Sequence, residues 1–497
     1  MSVEGAHSHG EGKLIINLGE VCVTDLIALL NDLLWGSILV YLLVGVGIYF
    51  TVRLGLIQFR HFTHMFSVLK NSRKADASGI SSFQAFCTSL AARVGTGNMA
   101  GVAVALTVGG PGAIFWMWLI AMVGMATAFA ESTLAQLYKT KGSDGNYIGG
   151  PAYYMEKGLG MRWMGILFSI FLIIAFGLVF NAVQSNSIAD AMHTAFAWNK
   201  AMVGGILVVL SGFVIFGGIR KIARTAEILV PIMAIFYLIL AVIVIAMNLD
   251  KVPGALALIF KSAFGLQEAA AGGVGYAIMN AIKTGVARGL FSNEAGMGSA
   301  PNAAAAATPY PPHPASQGYV QMLGVFVDTI VICTATVSII LLSGEYVPHG
   351  EVTGIILTQN ALSSQVGEWG KTFVAIAIFF FAFTSIIANY SYAEGNILFI
   401  FKKSRYAKNI FRVIVLGMVM FGSLATLPTV WSLADASMGL MAIVNLVAII
   451  LLSGIVIKLA KDYNKQLDEG KLPTFDAKDF PELHSQIEEG VWGKESK

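Results

Sequence analysis

Long, uninterrupted stretches of apolar residues constrain this chain more than any other feature of its sequence. Of its 497 residues, 56% are hydrophobic and 12% are charged, whereas an average soluble domain has roughly 25% charged residues. Stretches of about 20 residues with few charges are long enough to cross a lipid bilayer as helices. The sequence therefore predicts a polytopic membrane protein.

We expect about eleven transmembrane helices, because eleven such stretches occur. They lie at 24–52, 82–107, 111–138, 163–190, 201–219, 225–248, 274–307, 317–343, 369–401, 409–428 and 431–460. The alternation of apolar and polar residues that marks an outer-membrane barrel is missing, so the predicted fold class is all-α. The residues before Thr24 lack the basic region and short apolar core of a removable signal peptide.

The basic residues predict the orientation of these spans, since loops rich in Lys and Arg stay cytoplasmic. Basic residues follow the first, third, fifth and ninth spans, whereas the loop at 344–368 has three glutamates and neither Lys nor Arg. We therefore expect a protein of the cytoplasmic membrane with its N-terminus outside and its C-terminus in the cytoplasm. The small net charge of +3 reflects this asymmetry and does not indicate a nucleic-acid partner.

Composition divides the chain into four regions. These are an extracytoplasmic segment at 1–23, an extra transmembrane helix with a basic cytoplasmic loop at 24–81, a transport core at 82–460 and a cytoplasmic tail at 461–497. The tail mixes acidic and basic residues with two prolines, which predicts partial disorder or a surface location. Cys22, Cys87 and Cys333 are scattered and predict neither a disulfide framework nor a metal site.

One of the apolar spans contains an unusual stretch, ARVGTGNMAG at 92–101, with an arginine, an asparagine and three glycines. ARGLFSNEAG at 287–296 shares its Ala, Arg, Asn, Ala and Gly at five of the ten positions. The two copies fall in the second and seventh spans, which makes five spans in each unit. An odd number of crossings inverts the second unit relative to the first, as in many secondary transporters.

Two interpretations of the glycines stay open on the residues alone. Gly95, Gly97 and Gly101 permit a membrane helix to open, so that a ligand can approach its backbone. The alternative is close helix packing through small residues. The polar residues Arg93 and Asn98 at the same place, together with the second copy, favour the opened helix.

Four longer stretches resemble the alanine or glycine:cation symporters, also called sodium/alanine symporters. They are GTGNMAGVAVALTVGGPGAIFWMW (95–118), AFAESTLAQLY (128–138), GGPAYYMEKGLG (149–160) and GLFSNEAGMGSAPNAAA (289–305). The resemblance covers about Phe83 to Ala460. It implies the leucine-transporter-like fold, a five-plus-five inverted repeat that is here preceded by one extra helix.

The resemblance also implies where a substrate binds. The amides of Gly95, Thr96 and Gly97, at the opening of the first core helix, are expected to receive the carboxylate of an amino acid, with Asn98 beside them. Whether Asn98 also supports a second sodium ion stays open.

Three further substrate contacts are expected from the third and sixth core helices. Gln184 is expected to bond the amino or carboxylate group, with Asn181 and Asn186 as alternatives. Phe291 and Asn293 are expected at the opened part of the sixth core helix. There the Phe291 ring closes over an aliphatic side chain, although packing alone explains it equally well.

The coupling ion implied by the resemblance is sodium, and no other cofactor is expected. FAFTSIIA at 381–388 resembles the eighth core helix, which holds the ion. Thr384 and Ser385 would supply hydroxyls, and Phe381, Ala91 and Val94 would supply carbonyls. The alternative is that both hydroxyls bond to the preceding helical turn.

Charged residues inside spans are costly and need partners. Arg93, Lys283 and Arg288 are expected to pair with carboxylates or carbonyls, and Glu131 and Glu294 are plausible partners. A structural ion pair that stabilises a gate is favoured over proton transfer.

These features distinguish between three functional classes: a carrier, a channel and a membrane enzyme. A channel is disfavoured because no selectivity-filter repeat occurs. A membrane enzyme is disfavoured because the histidines are dispersed and no HExxH or phosphate loop occurs. The sequence predicts a sodium-coupled symporter that imports small neutral amino acids, alanine or glycine, by alternating access. Proton coupling, serine or glutamine as substrate, and the oligomeric state stay open.

Overall fold

The computed structural model describes residues 24–142, 145–217, 219–266, 274–401 and 404–492. The predicted extracytoplasmic segment at 1–23, with Cys22, lies outside the described residues. The chain begins with a long helix, α1 (Thr24–Arg53), followed by two short ones, α2 (Ile57–Arg60) and α3 (Phe62–Asn71). We call the side on which α1 ends the basic side of the molecule.

The first repeat unit begins at strand β1 (Ile80–Ser81). It continues as α4 (Ser82–Arg93), α5 (Gly97–Gly109), α6 (Gly112–Leu137), β2 (Thr140–Lys141), β3 (Tyr147–Ile148), α7 (Pro151–Leu159), α8 (Arg162–Phe196), α9 (Lys200–Ile215) and α10 (Ile219–Met247). A capping box starts α4, since the Ser81 hydroxyl accepts from the Gln84 amide and the Gln84 side chain accepts from the Ser81 amide, both at 3.1 Å.

The second unit follows α11 (Val252–Ala263). It comprises α12 (Val274–Asn293), α13 (Pro301–Ala305), β4 (Ala307–Thr308), α14 (Pro314–Ser343), α15 (Gly354–Val366), α16 (Trp369–Ile400), α17 (Arg405–Leu424) and α18 (Leu427–Leu451). The tail contributes α19 (Ser453–Asp468) and two short turns of 3₁₀ helix at Ala477–Asp479 and Pro481–Leu483.

The predicted all-α membrane fold is confirmed. Eight of the described helices have the length and apolar composition to cross a membrane. The other three predicted spans correspond to the shorter α9 and to the two interrupted pairs, α4 with α5 and α12 with α13, so the count of eleven stays a prediction. The eleventh span differs in length, because its helix ends at Leu451 and a new helix begins at Ser453.

The two units meet around α6, α8, α14 and α16. Helix α6 packs against α12 and α14, and α8 packs against α16, α17 and α18. On the basic side, β1 pairs in parallel with β4 through Ile80 and Ala307. This pairing ties the start of α4 to the chain that follows α13, so the two interrupted helices are joined where they reach the basic side.

Two helices lie in segments for which the sequence predicted only loops. Helix α11 packs against α6, where the Trp116 indole donates to the Ala263 carbonyl at 3.4 Å. Helix α15 lies over α5, since the Thr358 hydroxyl donates to the Met99 carbonyl at 3.0 Å. Both helices have 13 or fewer residues, which is too short to be recognised as a membrane span.

The tail is more ordered than its composition predicted. Helix α19 and the segment up to residue 492 pack onto the basic side, and Phe475, Phe480, Leu483 and Val491 are buried. The Trp492 indole donates to the Leu137 carbonyl at 3.2 Å, and the Phe475 amide donates to the Pro312 carbonyl at 2.9 Å. Of the two alternatives that the composition left open, partial disorder or a surface location, the described part of the tail fits the second.

Candidate functional site

The first core helix is interrupted at the polar stretch that the sequence singled out. Helix α4 ends at Arg93, Val94 is extended (φ −75°, ψ 96°), and the helix resumes at Gly97. The Gly95 amide donates to Asn98 Oδ1 and the Thr96 amide donates to Gln184 Oε1, both at 3.0 Å. The amides freed by the interruption are therefore directed at oxygen acceptors, the chemistry that a carboxylate offers.

The glycines of this stretch matter for space and not for backbone angles. None of Gly95, Gly97 and Gly101 has a positive φ. A Cβ on Gly95 would lie 2.5 Å from Ser385 Oγ and 2.7 Å from Gln184 Oε1, and one on Gly97 would lie 3.0 Å from the Phe291 ring. The helix therefore opens without the positive φ that glycine permits, whereas other groups do approach the glycine backbone closely.

The sixth core helix opens later than predicted. Helix α12 continues through Asn293, and the opening spans 294–300, with positive φ at Glu294 (59°), Gly296 (92°) and Gly298 (83°). Phe291 is therefore in the last helical turn, and Asn293 is the last helical residue, where its Oδ1 accepts from the Ala295 amide at 3.0 Å.

The two openings do not coincide in the sequence repeat. Position 94 of the first copy matches position 289 of the second, five residues before the opening at 294. The inverted repeat is thus visible in the order of the helices. The identical residues of 92–101 and 287–296, however, do not occupy equivalent positions relative to the two openings.

Glu131 of α6 holds the second opening in place. Its carboxylate accepts from the Gly296 amide at 3.3 Å and from Asn445 Nδ2 at 2.8 Å, and the same Nδ2 donates to the Gly296 carbonyl at 2.9 Å. Glu294 accepts from the Ser299 hydroxyl at 2.6 Å within the opening itself. Both glutamates therefore serve as acceptors for the unwound segment.

Each of the three basic residues has a carboxylate or a carbonyl as its partner, as expected, but none of these partners is Glu131 or Glu294. Arg288 forms an ion pair with Asp435, and Lys283 forms one with Asp32 at 2.9 Å. Arg93 donates to the Gln321 carbonyl at 3.4 Å and has no ion-pair partner among the described residues. Glu131 and Glu294, the partners suggested by the sequence, instead accept hydrogen bonds from the second opening.

Aromatic rings separate the first opening from the side opposite the basic side. The Phe291 ring lies between Phe180 and Trp431, with centroids 4.5 and 4.6 Å away. The Arg288 guanidinium lies over Trp431 at 4.3 Å. Beyond this stack is a cavity of about 440 Å³ lined by Arg288, Trp431 and Asp435. The rings and the ion pair form a barrier between that cavity and Gly97.

The five residues expected to bind sodium lie together. The Ser385 hydroxyl is 2.8 Å from the Ala91 carbonyl, 3.4 Å from the Val94 carbonyl and 3.0 Å from the Phe381 carbonyl. The Thr384 hydroxyl donates to the Phe381 carbonyl at 2.9 Å, as the alternative of bonding to the preceding turn required. Ser385 differs from Thr384 because it also reaches across to α4.

The three polar candidates of α8 face different neighbours. Gln184 accepts from the amide and from the hydroxyl of Thr96. Asn181 accepts from Asn389 of α16 at 3.2 Å, and Asn186 donates to the Gly422 and Ala425 carbonyls at the end of α17. Gln184 is thus the member of this set that contacts the opening.

A buried aspartate beside Asn98 is the main site residue that the sequence reasoning missed. Asp328 of α14 accepts from Asn98 Nδ2 at 2.7 Å, from the Ser292 hydroxyl at 2.5 Å and from the Thr329 hydroxyl at 2.8 Å. It lies in a π-helical segment, Phe326–Cys333, a conformation frequent at functional sites. The sequence could have indicated this residue, because an acidic residue inside a predicted membrane span is usually functional.

Comparison with known proteins relates the whole membrane region to one family. A sequence model of the sodium:alanine symporter family matches residues 20–477. The chain is 50% identical over 459 residues to the amino-acid carrier protein AlsT of Bacillus subtilis, covering 92% of this chain and 96% of that one. It is 51% identical over 464 residues to the probable sodium/glutamine symporter GlnT of the same organism, covering 93% and 95%. Identity to the sodium/alanine symporter AgcS of Methanococcus maripaludis is 40% over 450 residues, covering 89% and 97%.

The fold has a counterpart among solved structures. The crystal structure of MhsT in complex with L-phenylalanine matches with a TM-score of 0.53 and 14% identity, covering 78% of this chain and 99% of that one. At this identity the likeness concerns the fold alone. It confirms the leucine-transporter-like architecture that the sequence motifs implied.

Proposed function

The chain belongs to the sodium:alanine symporter family, and we propose that it imports a small neutral amino acid, alanine in the first place, together with sodium by alternating access. As a member of that family it is a sodium-coupled amino-acid symporter and a multi-pass membrane protein, and it is not an enzyme. The substrate, the binding residues and the direction of transport are the proposal.

The observation that carries the proposal is the hydrogen bonding of the interrupted first core helix. The Thr96 amide donates to Gln184 Oε1, an uncharged acceptor. A substrate carboxylate is a stronger acceptor for an amide at the start of a helix, because the helix dipole favours negative charge there. We infer that the carboxylate takes this amide from Gln184, while the amides of Gly95 and Gly97, the side chain of Asn98, and Phe291 and Asn293 surround the remainder of the substrate.

Close packing around Gly97 supports a small substrate. A single added carbon there would lie 3.0 Å from the Phe291 ring and 3.2 Å from Ser292 Cα. Phe291 and Ser292 therefore leave little space beside this part of the opening, which supports alanine or glycine over larger amino acids. Glutamine is the competing substrate, because a relative with 51% identity is described as a probable sodium/glutamine symporter.

Purified protein in liposomes tests the transport proposal. An inward sodium gradient should accumulate labelled alanine above its external concentration, and a matched potassium gradient should not. A competition series with unlabelled amino acids should place alanine and glycine ahead of serine and glutamine. Accumulation driven by a proton gradient without sodium would reject the coupling ion, and stronger competition by glutamine would reject the substrate.

The first sodium ion is proposed to lie between α4 and α16, bound by the carbonyls of Ala91, Val94 and Phe381 and the hydroxyls of Thr384 and Ser385. Hydroxyl and carbonyl oxygens suit a hard cation. The short distance from Ser385 Oγ to the Ala91 carbonyl, 2.8 Å, supports this placement. An ion here bridges the first and eighth core helices and so stabilises the arrangement that binds substrate.

Replacing both hydroxyls should weaken sodium binding. In the variant Thr384→Ala with Ser385→Ala, we expect the half-maximal sodium concentration for alanine uptake to rise roughly ten-fold, because a buried ion that loses ligands forfeits about 1–3 kcal/mol. Ser391→Ala is the matched control, since the Ser391 hydroxyl bonds only within the same helix, to the Ala388 carbonyl at 2.7 Å. An unchanged sodium dependence in the double variant would contradict the placement.

A second sodium ion is proposed at Asp328, with the hydroxyls of Ser292 and Thr329 as further oxygen ligands and the Asn98 amide group as a hydrogen-bond donor to the carboxylate. The two hydroxyls lie 2.5 and 2.8 Å from the carboxylate, and a buried carboxylate is strongly stabilised by a bound cation. Asn98 would then link the second sodium ion to the substrate. Its Nδ2 donates to Asp328, and its Oδ1 accepts from the Gly95 amide in the substrate-binding opening.

Asp328→Asn should remove this second ion and keep the hydrogen bond from Asn98. We expect the Hill coefficient for sodium to fall from about two to about one, measured in liposomes over a range of sodium concentrations. Asp190→Asn, which alters an acid paired with Lys200 near the end of α8, is the control and should leave the coefficient unchanged. A parent coefficient of one would contradict the second ion.

A further inference from the structure

A cleft on the basic side has a lining that the transport cycle does not use. Its volume is about 480 Å³, and it lies between the turn after α1 and the tail helix α19. Four cationic side chains line it, Arg53 and Arg60 from the first element and Lys461 and Lys465 from the second. Basic residues that are about 400 positions apart in the sequence thus line the same cleft.

The four cations are only partly compensated by carboxylates. Two acids, Asp468 and Glu469, also line the cleft, but Glu469 is paired with Lys471 at 2.7 Å. Within the described part of the chain, none of the four cations has an ion-pair partner. The lining keeps an excess of positive charge that an anion would balance.

The turn after α1 is shaped so that two of these cations lie close together. The chain reverses at Gly55 and Leu56, which both have positive φ (66° and 57°). A Cβ on Gly55 would lie 3.0 Å from Arg60 Nη1, so the guanidinium is folded against the turn. Arg60 is thereby held beside the end of α1, where Arg53 is the last helical residue.

The surface next to the cleft is apolar. Val52, Leu56 and Phe59 are 66%, 51% and 54% exposed, although α1 has the composition of a membrane span. A ligand that combines an anionic group with acyl chains matches both surfaces, since its charge would lie in the cleft and its chains against these three residues.

We propose that this cleft binds the phosphate headgroup of an anionic phospholipid, and that the lipid joins the extra N-terminal helix to the tail helix. Arg53 and Arg60 would contact the phosphate from α1 and the turn that follows it, and Lys461 and Lys465 would contact it from α19. A free phosphate ion has the same charged group as the lipid but no acyl chains to contact the apolar surface. The site is independent of the substrate pocket, because no residue of the pocket lines it.

Native mass spectrometry of the purified full chain tests this proposal without any transport assay. After delipidation, the protein is titrated with phosphatidylglycerol or phosphatidylcholine, and the phosphatidylglycerol titration is repeated with inorganic phosphate as competitor. We expect one phosphatidylglycerol to be retained per chain, phosphatidylcholine to bind much more weakly, and phosphate to compete poorly.

Variants locate the bound lipid. Arg60→Gln with Lys461→Gln should weaken phosphatidylglycerol binding roughly 30-fold, or about 2 kcal/mol, since each cation near an anionic lipid contributes about 1 kcal/mol. Lys70→Gln with Lys74→Gln removes the same charge from the same side and should have little effect. Arg60→Lys should retain the lipid.

Three outcomes would overturn the proposal. They are equal retention of lipid by the parent and the Arg60–Lys461 variant, equal loss in the Lys70–Lys74 control, and full competition by inorganic phosphate. A thermal-unfolding midpoint for each variant, measured without lipid, separates lost binding from lost folding.

Discussion

Gly95 lies where the proposed sodium and substrate sites meet. A Cβ at this position would lie 2.5 Å from Ser385 Oγ and 2.7 Å from Gln184 Oε1. One side chain belongs to the proposed sodium site and the other to the proposed carboxylate site. The absence of a side chain at residue 95 therefore permits both groups to approach the same stretch of backbone.

Gly95→Ala should weaken sodium and alanine binding together. We expect a loss of roughly 10- to 100-fold in alanine affinity, because forcing one carbon into a packed interior costs about 1–3 kcal/mol. The measurement is equilibrium binding of labelled alanine to purified protein at several sodium concentrations. Gly205→Ala adds the same carbon where nothing lies within 4 Å, so it should bind as the parent does, and normal alanine binding by Gly95→Ala would contradict the assignment.

Asp328 shows how a single residue depends on its tertiary neighbours. In the sequence FVDTIV it is an acidic residue within an apolar span. This position indicates that the residue is functional but does not indicate its role. Its partners Asn98 and Ser292 are 230 and 36 positions away. The hypothesis of a second sodium ion depends on that juxtaposition.

At the scale of elements, the tail is hydrogen-bonded to the segment between α6 and α8. The Glu488 carboxylate accepts from Lys157 Nζ at 3.0 Å, from the Lys141 amide at 3.1 Å and from the Thr140 hydroxyl. Burial alone would raise the pKa of Glu488, but the hydrogen bonds from Thr140, Lys157 and the Lys141 amide outweigh it and leave this pKa below its ordinary value. The same loop is bonded to the segment before α4, where the Tyr147 amide donates to the Ser78 carbonyl at 2.7 Å.

Attachment of the tail should therefore depend on pH in a defined direction. A carboxyl with a lowered pKa stabilises the folded state above its unfolded pKa and loses that contribution as pH falls through the folded value. We expect hydrogen exchange in 477–492, corrected for intrinsic rates, to be slow and constant from pH 8 to about pH 5 and to accelerate below about pH 4. Glu488→Gln should exchange faster at neutral pH and show little of this acid response, whereas acceleration on raising the pH would contradict the contact.

The broken helices carry most of the proposed chemistry of the two units. The first opening is bounded by α4 and α5, and the second by α12 and α13. Phe291 of α12 packs within 3.0 Å of a Cβ placed on Gly97. Movement of α12 therefore changes the walls of the first opening, which is what alternating access requires of a central site.

At the scale of the whole molecule, the two sides are closed in different ways. On the basic side, the pairing of β1 with β4, the loop after α6 and the tail cover the ends of the broken helices. On the opposite side, a cavity of about 440 Å³ leads down to Trp431 and the Arg288–Asp435 ion pair. This cavity lies on the side that the positive charges predict to be extracellular.

Thiol labelling tests that orientation. In a Cys22→Ser background, a cysteine replacing Glu351 should react with an impermeant reagent added to intact cells, and one replacing Lys70 should react only after the cells are permeabilised. Both positions are exposed, and the remaining cysteines, Cys87 and Cys333, are buried. Labelling of position 70 from outside would reverse the proposed topology.

The sequence by itself determined the class of the protein, its helical spans and its family. Apolar stretches of sufficient length dictate membrane helices whatever their neighbours, because the lipid and not the tertiary structure is their solvent. The polar and glycine-rich stretch at 92–101 predicted the position of the first opening. The motif at 381–388 predicted that Ser385 lies close to the Ala91 carbonyl, as it does in the structure.

The tertiary structure alone decided the partners of the buried polar residues. Arg288 pairs with Asp435 and not with Glu131, the second opening begins at 294, and the tail packs onto the basic side. Helices α11 and α15 are also products of packing, since each is too short to be predicted as a span. Local sequence fixes which residues are costly to bury, but the helix that supplies their hydrogen bonds lies tens or hundreds of residues away and is selected by the packing of the whole bundle.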